Sequence, residues 1–187
     1  MTELACTAGQ TVGPFLDLGL PYPGDSELVG DSDAGAVRLH GTVHDGTGEP
    51  IPDALIELWQ ADPAGRISRR AGSLRRDGFT GWGRAATDDA GRYSFTTVTP
   101  GSGSAGQPPF FAITVFARGL LNRLFTRAYL SGADLDADPL LAALDAQRRA
   151  TLLCVTERCS GQTNYRFDIH LQGPHETVFL AYRDIGR

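Results

Sequence analysis

Histidine and carboxylate are the side chains from which a metal site or an acid–base pair would be built, and their spacing here serves neither well. The chain has four histidines, His40, His44, His170 and His175. No two stand as His-x-His, the strand spacing that turns both imidazoles to one face. His40 and His44 do share a strand face, but four residues along a strand set them ~13 Å apart, too far for one ion. Asp168-x-His170 puts a carboxylate and an imidazole on one face, as a facial-triad site would. The ordinary reading, two polar residues on a half-exposed strand, is preferred. His175 follows Gly173 and Pro174 and reads as a loop residue. Cys6, Cys154 and Cys159 are an odd set without the C-x2-C spacing of a zinc knuckle. No metal site within this chain is expected.

The cations are more distinctive. All 17 are arginine, with no lysine; codon usage accounts for the total, although a planar guanidinium suits carboxylate recognition wherever one is placed. Arg127, in Thr126-Arg127-Ala128-Tyr129-Leu130, reads by alternation alone as an edge or ion-paired side chain. Arg69, Arg70, Arg75 and Arg76 read as a solvated loop, with an acidic partner surface as the other option. Glu57 and Trp59 share a strand face, Trp59 as core packing and Glu57 as a hydrogen-bonded or rim group.

The elements that must position these groups are mostly strands. Residues 1 to about 35 are rich in Gly, Pro and Asp and read as an extended arm ending in the polar loop Asp25 to Gly35. Strands follow at Val37–Val43 and Ala54–Trp59, separated by the turn Asp45-Gly46-Thr47-Gly48. Asp62 to Gly83 reads as a long polar loop. Thr87 to Arg92 is a turn into the strand Tyr93–Val98, and β-like runs cover Phe110–Phe116 and Leu124–Leu130. One helical excursion is predicted, capped by Asp138, with Pro139 at its first position and Leu140, Leu141 and Leu144 as its apolar stripe. Thr151–Val155, Asn164–Leu171 and Thr177–Tyr182 close the chain as strands. This pattern predicts an all-β chain: an antiparallel β-sandwich spanning residues 1–187 as one domain, arm included.

At 187 residues, 41 % of them hydrophobic, the chain can bury a core without disulfides or metal. A net charge of −5 argues against nucleic acid, which calls for a basic face. No apolar run reaches the ~18 residues of a membrane span. The N-terminus MTELACTAGQTVGPF lacks the basic and apolar regions of a secretory signal. Reduced thiols then fit a cytoplasmic location.

Two sets of segments carry a resemblance. GTVHDGTGEPIPDALIELWQAD (41–62) with GRAATDDAGRYSF (83–95) looks like the sandwich of intradiol ring-cleaving dioxygenases. A looser version occurs in transthyretin-like modules, so a binding or structural module without a catalytic partner is the alternative. GQTVGPF (9–15), FARGLLNRLFTRAYL (116–130) and TNYRFDIHLQGPHETVFL (163–180) are more specific and resemble the subunits of the protocatechuate 3,4-dioxygenases. The likeness omits only the loops 20–35, 63–82 and 100–108.

That family is built from two homologous subunit types. The beta type holds a non-haem Fe(III) through two tyrosines and two histidines, and the alpha type holds none. Aligned through FARG, the histidine positions fall on Phe110 and Ala112, one tyrosine falls near Gly103, and the other in the loop 62–82, which has no tyrosine. The resemblance therefore implies an alpha-type chain whose partner, a homologous beta subunit, carries the iron. Its substrates would be protocatechuate (3,4-dihydroxybenzoate) and O2. By the same resemblance Thr11, Gly13, Pro14 and Phe15 line the pocket formed with that partner, and Arg127 meets the substrate carboxylate with its fork of donors. Many alpha subunits have tyrosine where Phe15 stands, so no hydroxyl contact is expected from that position.

Overall fold

Alternation along the first strand decides the architecture. In β1 (Ala36–His44), Val37, Leu39 and Val43 point inward, while Arg38, His40 and Thr42 face outward. The computed structural model describes residues 11–13, 19–68, 79–103, 106–132, 134–159 and 161–181. Eight further strands follow: β2 (Leu55–Trp59), β3 (Trp82–Ala86), β4 (Arg92–Val98), β5 (Phe110–Phe116), β6 (Leu124–Tyr129), β7 (Val155–Cys159), β8 (Gln162–Arg166) and β9 (Ile169–His170). They form two sheets, one ordered β4-β1-β8-β7 with β9 also on β1, the other ordered β3-β2-β5-β6. Leu39, Phe95, Ile56, Phe111, Ile113, Phe167 and Ile169 fill the space between them and are almost completely buried. This is the expected sandwich.

Within the first sheet β8 and β9 run parallel to β1, although every other ladder is antiparallel. The chain reaches β1 from the far side through the β7–β8 hairpin, which reverses its direction. At the break between β8 and β9, Asp168 Oδ1 accepts the Thr42 N–H at 3.0 Å, and the Phe167 N–H donates to the His40 carbonyl at 2.8 Å. Gly41 lies under this crossing. A methyl group there would stand 1.9 Å from the Phe167 carbonyl oxygen, so only hydrogen fits. Tyr93, buried, donates its hydroxyl to the same carbonyl at 2.6 Å.

Several expectations change. The stretch read as loop up to Gly83 yields the edge strand β3, paired to β2 from Trp82 onward; its Trp-Gly-Arg-Ala-Ala run is too short and mixed to show alternation. The strand predicted at Thr151–Val155 begins only at Val155, in β7. Thr151 and Leu152 continue the turn out of the short helix Ala146–Ala150, the Leu152 N–H bonding to the Arg149 carbonyl and the Leu153 N–H to the Ala150 carbonyl, and Leu153 makes a single parallel bridge to Tyr129. Among the described residues, 177–181 form no ladder; the Thr177 N–H bonds to the His170 carbonyl and its hydroxyl accepts the His170 N–H, and the Leu180 N–H bonds to the Phe125 carbonyl. The helical excursion is broken into a 3-10 turn (Leu135–Ala137) and two short helices, α1 (Pro139–Ala142) and α2 (Ala146–Ala150). Leu141 packs with Tyr129, Leu152 and Val178 in a second apolar cluster, with Leu140 and Leu144 at its margin.

Of the N-terminal region, the part from Asp25 on is tied to the sandwich. The Leu28 N–H bonds to the Thr96 carbonyl, and the Asp25 carbonyl accepts from Arg84 N–H. Leu28 joins the main core.

Candidate functional site

The outward face of the four-stranded sheet carries the groups of interest. Trp82, Trp59, Ala112 and Arg127 are cross-strand partners in one row over β3, β2, β5 and β6. Arg84, Glu57, Thr114 and Phe125 form the next row, and Phe110 with Tyr129 the row on the other side. Trp59, expected in the core, is 48 % exposed. Alternation turns Ile56 and Leu58 inward, so Glu57 and Trp59 must point out. Glu57 pairs with Arg84 at 2.7 Å, as a hydrogen-bonded group on that face should.

Arg127 sits where this open face meets the helical excursion. Its Nη1 donates to the Tyr129 hydroxyl at 3.1 Å and to Asp138 Oδ2 at 3.3 Å. Its guanidinium carbon lies 4.4 Å from the centroid of the Phe110 ring, a cation–π contact. The Tyr129 hydroxyl in turn donates to Asp138 Oδ2 at 2.8 Å. Asp138 does cap α1, as the sequence predicts, through Oδ1 and the Leu140 N–H at 2.8 Å. Burial pushes the Tyr129 phenol up to about 12, so it remains a protonated donor. Among the described residues Nε and Nη2 of Arg127 have no hydrogen-bond partner, and the side chain is 30 % exposed. Those two nitrogens are the paired donors that a carboxylate accepts.

The tyrosine and the aspartate of this network were not foreseen as a pair with Arg127. Arg127 and Tyr129 do share a strand face by their spacing. Nothing in the sequence brings residue 138 to them.

Beside Arg127 on the same face is a cleft of about 270 Å³ lined by Trp59, Ile67, Gly103, Pro109, Phe110 and Ala112 among others. Gly103, Phe110 and Ala112, at or near positions that the resemblance aligns with the beta type's ligands, thus come together in space. None has a nitrogen or oxygen donor in its side chain, and the loop 62–82 has no tyrosine. Gln60, also at the cleft, has its amide engaged by the Val98 carbonyl at 2.9 Å and the Thr97 hydroxyl at 2.6 Å. Fe(III), which takes phenolate, imidazole and carboxylate donors, does not fit these residues. Among the described residues no group of three or more His, Cys, Asp or Glu is arranged to hold a metal ion.

The histidines have other contacts. His40 Nε2 stands 3.3 Å from Glu157. His44 Nδ1 donates to the Gly48 carbonyl at 3.0 Å, and its ring stacks on His170 at 4.7 Å. His175 lies 6.0 Å beyond. Burial, then the neighbouring His44, lowers the His170 pKa. Asp168 is bound to Thr42 and Arg166, so the Asp168-x-His170 pair is part of the sheet.

Of the arm residues, Thr11 accepts the Gly119 N–H at 2.7 Å, at the tip of the β5–β6 hairpin that carries Arg127. Gly13 is exposed, and a methyl group there would touch nothing within 4 Å. Pro14 and Phe15 lie outside the described residues, as do Arg69, Arg70, Arg75 and Arg76.

Known proteins resemble the chain over nearly its whole length. Residues 25–173 match the family model described as Dioxygenase. The chain is 39 % identical to the protocatechuate 3,4-dioxygenase alpha chain of Burkholderia cepacia over 96 % of its own length and 99 % of the relative's. It is 37 % identical to the alpha chain of Pseudomonas putida, covering 94 % and 96 %. The beta chain of Burkholderia cepacia is 32 % identical, over 75 % of this chain and 66 % of that one. Among solved structures, catechol 1,2-dioxygenase from Acinetobacter sp. ADP1 superposes with a TM-score of 0.61 at 20 % identity, covering 84 % of this chain and 60 % of that one. At that identity the match speaks to fold alone.

Proposed function

The chain belongs to the dioxygenase family, and from that premise we propose that it is the iron-free alpha subunit of a protocatechuate 3,4-dioxygenase. The complex would open the ring of 3,4-dihydroxybenzoate between its two hydroxylated carbons with O2, giving 3-carboxy-cis,cis-muconate. The observation that carries this reading is the full-length likeness to alpha chains; the resemblance adds that Phe110, Ala112 and the stretch near Gly103 stand where the beta type has its ligands. A free-standing transthyretin-like module would share the 41–62 and 83–95 segments but not the likeness at 9–15 and 116–130.

In this reading a homologous beta chain brings Fe(III) and the pocket forms between the two. The chemistry at the hydroxyl end of the ring is the partner's. This chain holds the other end: Arg127 offers Nε and Nη2 to the carboxylate, while Thr11, Gly13, Pro14 and Phe15 supply wall. A bidentate guanidinium holds the ring at its carboxylate end, a contact the substrate keeps throughout the reaction, so its contribution is to affinity. The described residues include no helix long and apolar enough to cross a membrane, and we place the complex in the cytoplasm, where its thiols stay reduced.

The test is to express the chain alone and with the neighbouring reading frame, then measure iron and protocatechuate-dependent O2 uptake. Iron and turnover are expected only in the co-expressed complex. Stoichiometric iron and activity in the chain alone would overturn the assignment.

A further inference from the structure

Arg127 is a partly exposed side chain on a strand, and such an arginine ordinarily samples many rotamers. Here its surroundings remove most of that freedom. Asp138 is 4 % exposed and is held from both sides, by the helix cap through Oδ1 and by Tyr129 through Oδ2. Tyr129 is fully buried in the second apolar cluster, between Leu141, Leu152 and Val178. Both groups direct their polar atoms at the same nitrogen, Nη1. The guanidinium carbon lies over the Phe110 ring. Two bonds at one nitrogen and the ring beneath it limit the rotation of the fork. Among the described residues, what stays open is the edge formed by Nε and Nη2.

We propose that Asp138 and Tyr129 are positioning residues for substrate binding: they orient the Arg127 guanidinium so that its Nε–Nη2 edge is presented to the carboxylate of the aromatic acid. The inference rests on the reading of Arg127 given above and extends it to two residues that touch no substrate. The excursion between β6 and β7 thereby gains a purpose, since its capped helix α1 carries the rigidity of the second cluster to the recognition edge. A pre-oriented donor pair loses less freedom on binding, so the benefit lies in affinity and not in the chemical step.

The experiment uses the co-purified complex, with iron content and assembly size checked for every variant. Tyr129→Phe removes one hydroxyl and keeps the ring in its cluster. Asp138→Asn keeps the helix cap and the volume but turns an amide N–H toward the guanidinium. Each is expected to raise KM for protocatechuate by roughly three- to tenfold, with kcat within about twofold. KM for catechol, which lacks the carboxylate, should not move. In an Arg127→Ala background Tyr129→Phe should add no further change, because the group it positions is gone. Equal KM increases for catechol and protocatechuate, or an undiminished effect of Tyr129→Phe in the Arg127→Ala background, would reduce the pair to a structural tie and overturn the proposal. If Arg127→Ala itself leaves KM for protocatechuate unchanged, the parent reading fails and the proposal with it. If Arg127→Ala raises KM while both other variants match the parent complex, only the proposal fails.

Discussion

Replacing Arg127 by alanine separates what the residue does for the substrate from what it does for the fold. Toward the substrate, the variant loses two donors, Nε and Nη2, each able to make a charge-assisted bond. Hydrogen bonds to charged groups contribute about 1.5–3 kcal/mol. Two such bonds would contribute about 3–6 kcal/mol, but with the side chain 30 % exposed water competes for the same carboxylate, and the pair together is discounted to about 2 kcal/mol. At 1.4 kcal/mol per decade this is roughly a 30-fold loss of apparent affinity. Toward the fold, Asp138 loses its cation and keeps the Tyr129 hydroxyl and the Leu140 N–H. Breaking a fully buried pair costs about 3–5 kcal/mol; two surviving bonds and a half-solvated arginine bring this to about 1–2 kcal/mol. A chain of this length should then melt roughly 2–8 °C lower. The assay is steady-state O2 uptake by the complex with protocatechuate and with catechol, beside a thermal melt. KM for protocatechuate should rise about 30-fold while kcat and iron content hold. A change of less than twofold, or the same rise with catechol, would refute the carboxylate role whatever the melt shows.

Two other perturbations probe the sandwich. Gly41→Ala would set a methyl group 1.9 Å from the Phe167 carbonyl oxygen, so β8 and β9 must shift off β1 at a cost above about 3 kcal/mol. Denaturant unfolding should show a large loss or no folded protein, and an alanine variant as stable as the parent would contradict the crossing. His170 has its pKa lowered from the usual 6.5 by burial and by its histidine neighbours. The unfolded chain therefore binds a proton that the folded chain resists, and stability falls as pH drops from 6.5 toward the depressed folded value. Urea midpoints at pH 7.5 and 5.5 should differ less in His170→Gln than in the parent. An identical pH dependence in both would remove His170 as a source of it.

Most of the sheet was legible because period-two alternation is a local property. Val37, Leu39 and Val43, or Phe111, Ile113 and Val115, announce a buried face within a single strand. Edge elements were harder: β3 has one tryptophan, one glycine and one arginine in five residues, and its identity as a strand comes from the β2 ladder beside it. Trp59 was misplaced for a related reason. Its size suggests burial, but the inward places in β2 belong to Ile56 and Leu58.

Residue types alone determined that Phe110, Ala112 and the tyrosine-free loop 62–82 carry no phenolate or imidazole; that these positions align with the beta type's ligands comes from the resemblance. The helix cap at Asp138 was equally local, since it depends on a carboxylate reaching a backbone N–H two residues on. Only tertiary structure could join Asp138 to Tyr129 and Arg127, set Gly103, Phe110 and Ala112 around one cleft, and show which edge of the guanidinium is free. Those relations join residues distant along the chain. They are fixed by how the excursion folds back on β6 and how β2, β5 and β6 align, through contacts that no single segment encodes.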